Sequence, residues 1–370
     1  MGADPPVMEA LTPSRLALAR KRRGLTLVRL HEATGISVRS LSAYENGHQQ
    51  PGDENLARLV TVLGFPASFF FAPEIDEIPV EAISFRALSK TPAFRRDAAR
   101  SAGRIAVMID DWIKDRFKLP DADVPHLPNV DPETAAEVVR ARWGLGQTPI
   151  PNMVHLLEAH GVRVYSLTIE CSDVDAFSMY RGTCPMVFLN VGKTGERLRF
   201  DAAHELGHLV LHSEHREPHG PDAEQEANRF AAAFLMPRDD VLAQNLHGAG
   251  IDRVLARKTR WRVAAMALAH RLFELQLVTE WGYRSLCVNL SRQGYRSAEP
   301  NGIARESSQV LSKILVAVRA EGGTPGTIAR ELDLDVAELN RHLFGLVPTA
   351  VEGGAVTTTR RQTNLSVVRN

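Results

Sequence analysis

The chain has 370 residues, of which 44% are apolar and 24% charged; this predicts two or three globular domains and excludes collagen-like, disulfide-scaffold and wholly disordered classes. Lysine plus arginine equals aspartate plus glutamate at 44 each, so the net charge identifies no partner. No apolar run is long enough for a transmembrane helix, and no secretory signal opens the sequence. Three cysteines are too few for a disulfide framework. We therefore expect a cytoplasmic protein with no membrane partner.

Residues 11–71 have the capping pattern of a small helical domain. Thr26 is placed to cap a second helix and Gly35 to end it. Ser37 can cap a third helix over residues 38–45, and Asp53 opens a fourth with an apolar stripe. This segment is therefore predicted to be a five-helix domain.

A short helix after a glycine-containing turn is the layout of a helix-turn-helix, whose second helix enters the major groove of DNA. Arg39 would contact a guanine and Val38 a thymine methyl group, with Ser40 and Ser42 also facing the bases. The basic cluster at residues 20–23 would lie near phosphates. A helical bundle whose basic face is merely solvated is the alternative.

Four short motifs in this segment resemble the Cro/C1-type (XRE) helix-turn-helix family. They are Gly24-Leu25-Thr26, Ala33-Thr34-Gly35-Ile36-Ser37, Tyr44-Glu45-Asn46-Gly47, and Pro51 followed by Leu56-Ala57-Arg58-Leu59. The resemblance implies binding to a double-stranded DNA operator. Leu27 departs from the family, which usually has a phosphate-contacting glutamine there, and this shifts the expected weight of recognition to Arg39.

The middle of the chain is predicted to hold a connector and then a mixed domain. Residues 72–130 should form a linker and a long connecting helix, from about Pro92 to about Lys118. Residues 131–285 should begin with two helices and continue with strands at 162–167, 176–180 and 186–190. We expect a small antiparallel sheet, with the last strand forming an edge open to an extended substrate.

His204, Glu205 and His208 form a His-Glu-x-x-His motif on a helical pattern. Residues four apart share a helix face, so both imidazoles can bind one Zn²⁺, and Glu205 can act as general base toward water. An exposed amphipathic helix with polar histidines is the alternative. His212 is an unsuitable third ligand, because eight residues of helix place it ~12 Å along the axis from His204.

A third zinc ligand is expected from the following helix, residues 222–236. Its alanines would let it approach the histidine helix closely, with Glu224 and Asn228 on that same side. Glu224 is the expected ligand, and Asn228 would hydrogen-bond a ligand from behind. Glu226, further round the helix, is the second choice.

The two helices together resemble the ImmA/IrrE metallopeptidase family. The motifs are Arg199-Phe200 before His204-Glu205-Leu206-Gly207-His208, then Glu224-x-Glu226-Ala227-Asn228-x-Phe230-Ala231-Ala232 and Leu235-Met236-Pro237. The resemblance implies a gluzincin-like zinc site and proteolysis of a repressor, in a family often fused behind a Cro/C1-type domain.

The C-terminal part contains weaker patterns. One amphipathic helix is predicted at 261–277, and a helical region is predicted at 286–352. Within that region, helical packing alone is the favoured interpretation of residues 327–343, and a second helix-turn-helix-like pair is the alternative. A disordered tail is predicted at 353–370. The fold class expected is mainly α with a small antiparallel sheet (α+β). The function expected is a DNA-binding regulator with a zinc endopeptidase that cleaves a repressor-like protein or itself in response to a signal, and a homodimer is left open. The alternative is a transcription factor whose zinc fold only senses or dimerises.

Overall fold

A computed structural model describes residues 10–78, 84–85, 92–167, 174–212, 220–295, 299–343, 345–347 and 366–367. These residues are mainly helical and include a small mixed sheet, in agreement with the predicted α+β class.

The N-terminal domain contains the helices expected from its capping residues. Thr26 accepts a hydrogen bond from the backbone of Arg29, Ser37 accepts one from Ser40, and Gly35 ends its helix at a φ of 73°. The fifth helical element is a single 3₁₀ turn whose phenylalanines are buried in the bundle. The elements are α1 (Pro13–Arg22), α2 (Leu27–Thr34), α3 (Val38–Glu45), α4 (Asp53–Leu63) and the 3₁₀ helix Ala67–Phe70.

The long connecting helix α5 spans Ala93–Lys114 and packs against α1. It is shorter than predicted, because Phe117–Lys118 form a short strand, β2, instead of a last helical turn. This strand pairs antiparallel with Ser366–Val367 (β6), so these two residues of the tail predicted to be disordered have a strand partner. The remainder of residues 353–370 lies outside the described residues.

The main sheet consists of β1 (Ser84–Phe85), β3 (Arg163–Leu167), β4 (Ala176–Arg181) and β5 (Cys184–Asn190). These strands lie in the order β1-β4-β5-β3.

Two details of the predicted sheet are wrong. The β4–β5 pair is antiparallel as predicted, and β1, a strand that was not predicted, also pairs antiparallel with β4, but β3 and β5 are parallel. The reason is that β5 lies between the successive strands β3 and β4, which run in opposite directions. For the same reason β5 is an internal strand, and its residues 186–190 do not form an edge that is open to a substrate.

Helices cover this sheet and extend the domain. Their bounds are α6 (Pro132–Arg142), α7 (Met153–Ala159), α8 (Gly195–Leu211), α9 (Pro221–Leu235), α10 (Arg238–Leu242), α11 (Ile251–Trp261), α12 (Ala265–Glu274) and α13 (Glu280–Arg292). The helix predicted at 261–277 is observed as α12, and it begins later than predicted because Arg262 adopts a left-handed conformation (φ 58°) that ends α11 at Trp261. The domain boundary predicted at residue 285 falls inside α13.

The C-terminal region is helical, as predicted, and consists of α14 (Gln309–Ala320), α15 (Pro325–Glu331) and α16 (Val336–Leu343). Helix α16 packs against β3, where Ser166 Oγ lies 2.7 Å from the carbonyl oxygens of Arg341 and His342. On its other side, Glu338 forms a fully buried ion pair with Arg22 of α1 at 2.7 Å. The last helix therefore joins the N-terminal domain to the central sheet.

Candidate metal centre and DNA-binding surface

Helix α8 follows β5 directly and carries the His-Glu-x-x-His motif. Thr194 begins it by accepting a hydrogen bond from the backbone of Arg197. His204 and Glu205 are fully buried, and His208 is only 5% exposed. The motif thus lies inside the domain, which excludes the solvated amphipathic helix considered as the alternative.

Helices α8 and α9 cross closely at Gly207. A Cβ atom at this position would lie 3.1 Å from the ring of Phe230 and 3.2 Å from the Cα of Ala227. Any side chain at this position would push its neighbours on α9 away by a few tenths of an ångström, so the glycine opposite Ala227 favours the close approach that the small residues of α9 suggested. The close crossing brings the side chains of α9 within reach of both motif histidines.

Glu224 of α9 meets the two histidines. The Nε2 atoms of His204 and His208 are 3.0 Å apart, and each lies 3.4 Å from a carboxylate oxygen of Glu224. Burial alone would raise the pKa of Glu224, but the two imidazoles hold that pKa well below its usual range. Among the described residues, these three are the group of histidine and acidic side chains whose donor atoms could hold one metal ion.

The residues predicted to contact DNA lie on α3. Val38 and Arg39 are exposed, and Arg39 forms no hydrogen bond or ion pair with the described residues. Ser40 and Ser42 are half-buried and already engaged: Ser40 Oγ lies 2.9 Å from Ser37 Oγ, and Ser42 Oγ accepts a hydrogen bond from Asn46. Val38 and Arg39 are therefore the freer pair to approach base edges.

The basic cluster at 20–23 is not the phosphate-facing surface we expected. Arg20 forms a bidentate ion pair with Glu45 at 2.6 and 2.8 Å. Arg22 is fully buried against Glu338, and Arg23 pairs with the same carboxylate. Acidic groups distant in sequence neutralise these three arginines, and the ion pairs link the end of α1 to α3 and to α16.

Comparison with known families matches both parts of the chain. Residues 16–70 match the model described as "Helix-turn-helix", and residues 157–273 match the peptidase M78 model, described as "IrrE N-terminal-like domain". The chain joins an XRE-type helix-turn-helix to an IrrE-like metallopeptidase domain. No curated protein matches it. No helix in the described part of the chain is long and apolar enough to cross a bilayer.

The donor set of the IrrE-like domain fits a zinc ion. Zinc sites combine imidazole nitrogens and carboxylate oxygens at ~2.0–2.2 Å, which places ligand atoms of one tetrahedral site roughly 3.4 Å apart. The observed separations of 3.0–3.4 Å between the donor atoms of His204, His208 and Glu224 agree with that spacing.

The ring nitrogens that point away from this centre also have partners in the IrrE-like domain. His204 Nδ1 lies 3.1 Å from Asn228 Oδ1, in the position foreseen for Asn228. His208 Nδ1 lies 2.9 Å from His212 Nδ1, and His212 Nε2 lies 3.0 Å from Glu226 Oε2. Burial lowers the pKa of His212, chiefly by disfavouring its charged form. The structure thus places His212, which was judged unsuitable as a ligand, and Glu226, which was the second choice, behind the cluster and not in it.

Glu205 has a partner that sequence reasoning missed. Ser178 of β4 is buried, and its hydroxyl lies 2.7 Å from Glu205 Oε2, to which it donates a hydrogen bond. A serine inside a strand carries no motif, and only the packing of β4 beside α8 makes its role visible.

Proposed function

We propose that the chain is a DNA-binding zinc endopeptidase of the cytoplasm that cleaves a repressor-type protein, or itself, in response to a signal. The observation that carries this proposal is the convergence of His204, His208 and Glu224 at 3.0–3.4 Å, with Glu205 beside them on the same helix. His204, His208 and Glu224 would hold the zinc.

When bound, zinc would supply a Lewis acid that polarises a peptide carbonyl. Glu205 would take a proton from the attacking water and pass it to the departing amine. Ser178 would fix the position of the Glu205 carboxylate, because it donates a hydrogen bond to that group. Asn228 would keep the His204 ring oriented, because its Oδ1 atom would accept a hydrogen bond from the Nδ1–H group of that ring.

The helix-turn-helix domain would bring this activity to an operator. Val38 and Arg39 would read bases, with Ser40 and Ser42 beside them. Helix-turn-helix proteins often read two half-sites as a dimer, so a homodimer would suit an operator with two-fold symmetry.

One observation favours a second function, in which the zinc fold only senses or dimerises. Glu205 is fully buried and already hydrogen-bonded to Ser178, whereas a general base must reach water. Both functions place zinc at the same three residues and differ only in turnover.

The test is cleavage by the zinc-loaded full chain, with repressor-type proteins encoded nearby as substrates and with the chain itself followed for fragments. Glu205→Gln is the matched variant, because it keeps the size of the side chain and removes its basicity. Cleavage by wild type that Glu205→Gln abolishes, at equal zinc content, supports the endopeptidase. Equal cleavage by both would contradict the role of Glu205, and zinc binding with no cleavage of any of these proteins would favour the sensing module.

A further inference from the structure

A chain of three side chains leads from the proposed metal centre to the protein surface. His208 and His212 lie four residues apart, at the end of α8, and their Nδ1 atoms are 2.9 Å apart. The other ring nitrogen of His212 lies 3.0 Å from Glu226 of α9. The exposed fraction of the side chains rises from 5% at His208 through 10% at His212 to 50% at Glu226.

Only one placement of protons satisfies these contacts around a metal ligand. A histidine that binds metal through Nε2 is neutral and carries its proton on Nδ1. His208 must then donate to Nδ1 of His212, which must accept. A neutral His212 therefore carries its proton on Nε2, and it faces Glu226, whose ionised carboxylate can only accept.

We propose that His212 is a positioning residue that fixes the tautomer and ring orientation of His208, and that Glu226 fixes His212 in turn. This inference rests on the proposed zinc site and adds two residues to it. It parallels the contact of Asn228 with His204, so each ligand histidine is oriented by a side chain behind it. Helix α9 supplies both Asn228 and Glu226, and its position would therefore control both rings.

The competing explanation is that the contact between His212 and Glu226 only stabilises the packing of α8 against α9. The Glu226 carboxylate is half exposed, and a polar contact at such an exposed position adds little to stability. If the contact only stabilised packing, removing it would leave the zinc affinity unchanged. A positioning role predicts the opposite, because loss of the group that orients a ligand histidine typically weakens metal binding about 10–100-fold.

The experiment measures the zinc dissociation constant of the full chain by competition with a chromophoric chelator. His212→Ala removes the acceptor for His208, whereas His212→Asn keeps an oxygen near the position of Nδ1. We expect His212→Ala to weaken zinc binding about 10–100-fold and His212→Asn to restore most of the affinity. The absorption bands of the cobalt-substituted protein should shift in His212→Ala and return toward wild type in His212→Asn.

Glu226→Ala tests the same chain from its exposed end, where folding is not at risk, and should weaken zinc binding less than His212→Ala. Gln225→Ala, at the neighbouring exposed position of α9, is the matched control and should bind zinc like wild type.

Wild-type affinity in both His212→Ala and Glu226→Ala would overturn the inference while the zinc site stands. Equal weakening by His212→Ala and His212→Asn would reduce His212 to a packing residue. A wild-type chain that binds no zinc would overturn the proposed site itself, which separates the two failures.

Discussion

Replacing Glu338 with alanine would leave positive charge buried between the N-terminal domain and the last helix. The carboxylate lies 2.7 Å from Arg22 Nε, with both side chains fully buried, and it also pairs with Arg23, Arg341 and His342. Removing one partner of such a pair typically costs ~3–5 kcal/mol, because the remaining charge stays desolvated. Since Arg23 keeps a hydrogen bond to the carbonyl of Leu63, most of the cost should come from Arg22.

The free energy of unfolding of Glu338→Ala should therefore fall by ~3–5 kcal/mol in urea at pH 7. Amide hydrogen exchange should rise first in α1 and α16, the helices that the ion pair joins. Glu54→Ala is the matched control, because its pair with Arg58 is exposed on the same N-terminal domain and should contribute only ~0.3–0.5 kcal/mol. A loss within 1 kcal/mol for Glu338→Ala, like that of an exposed pair, would refute the reasoning.

The same carboxylate of Glu338 also determines how the free energy of unfolding changes with pH. Burial alone would raise the pKa of Glu338, but the hydrogen bond from His342 and the charges of Arg22 and Arg23 hold that pKa well below its usual 4.5. A lowered pKa in the folded state contributes stability above pH 4.5 that is lost as the pH falls below it. The difference in stability between wild type and Glu338→Ala should accordingly be largest above pH 4.5 and shrink in acid.

Three further outcomes are expected. Burial raises the pKa of Glu158 from 4.5 to about 7, so the contribution of this group to stability is complete below pH 4.5 and is lost as the pH rises through 7. Glu158→Gln should flatten the decline of the melting temperature with pH, and an unchanged decline would contradict the raised pKa. Gly207→Ala should gain ~1 kcal/mol of helix propensity but lose ~1–3 kcal/mol to overpacking against Ala227. The melting temperature and the zinc affinity should therefore not rise, and a rise in either would contradict the close crossing of α8 and α9. Arg39→Ala should weaken operator binding by ~1–3 kcal/mol and relax specificity, and an unchanged ratio of operator to random DNA binding would remove Arg39 from base reading.

The features of the site that are local in sequence could be predicted. The spacing of His204 and His208 fixes their common face on any helix, and the alanines of α9 indicate how near the second helix can come. The choice of Glu224 over Glu226 followed from the side of α9 on which each lies. The same local logic explains why helix caps such as Ser37 were found.

The features that depend on distant partners could not be predicted. The cluster at residues 20–23 looks like a basic surface until Glu45 and Glu338 are brought to it, the latter from 316 residues away from Arg22. The hydrogen bond of Ser178 to Glu205 depends on which strand lies beside α8. Likewise, the place of β5 inside the sheet depends on strand order, which the alternation of apolar residues does not encode.

X-ray absorption at the zinc edge of the purified, zinc-loaded chain tests the metal centre most directly. We expect about one zinc per chain, with two imidazole nitrogens and one carboxylate oxygen at ~2.0–2.2 Å and one further light ligand. Glu224→Ala should remove the oxygen contribution and most of the zinc, whereas Glu226→Ala should keep the same ligand set at lower affinity. A thiolate at ~2.3 Å, or loss of the oxygen in Glu226→Ala but not in Glu224→Ala, would contradict the site built from His204, His208 and Glu224.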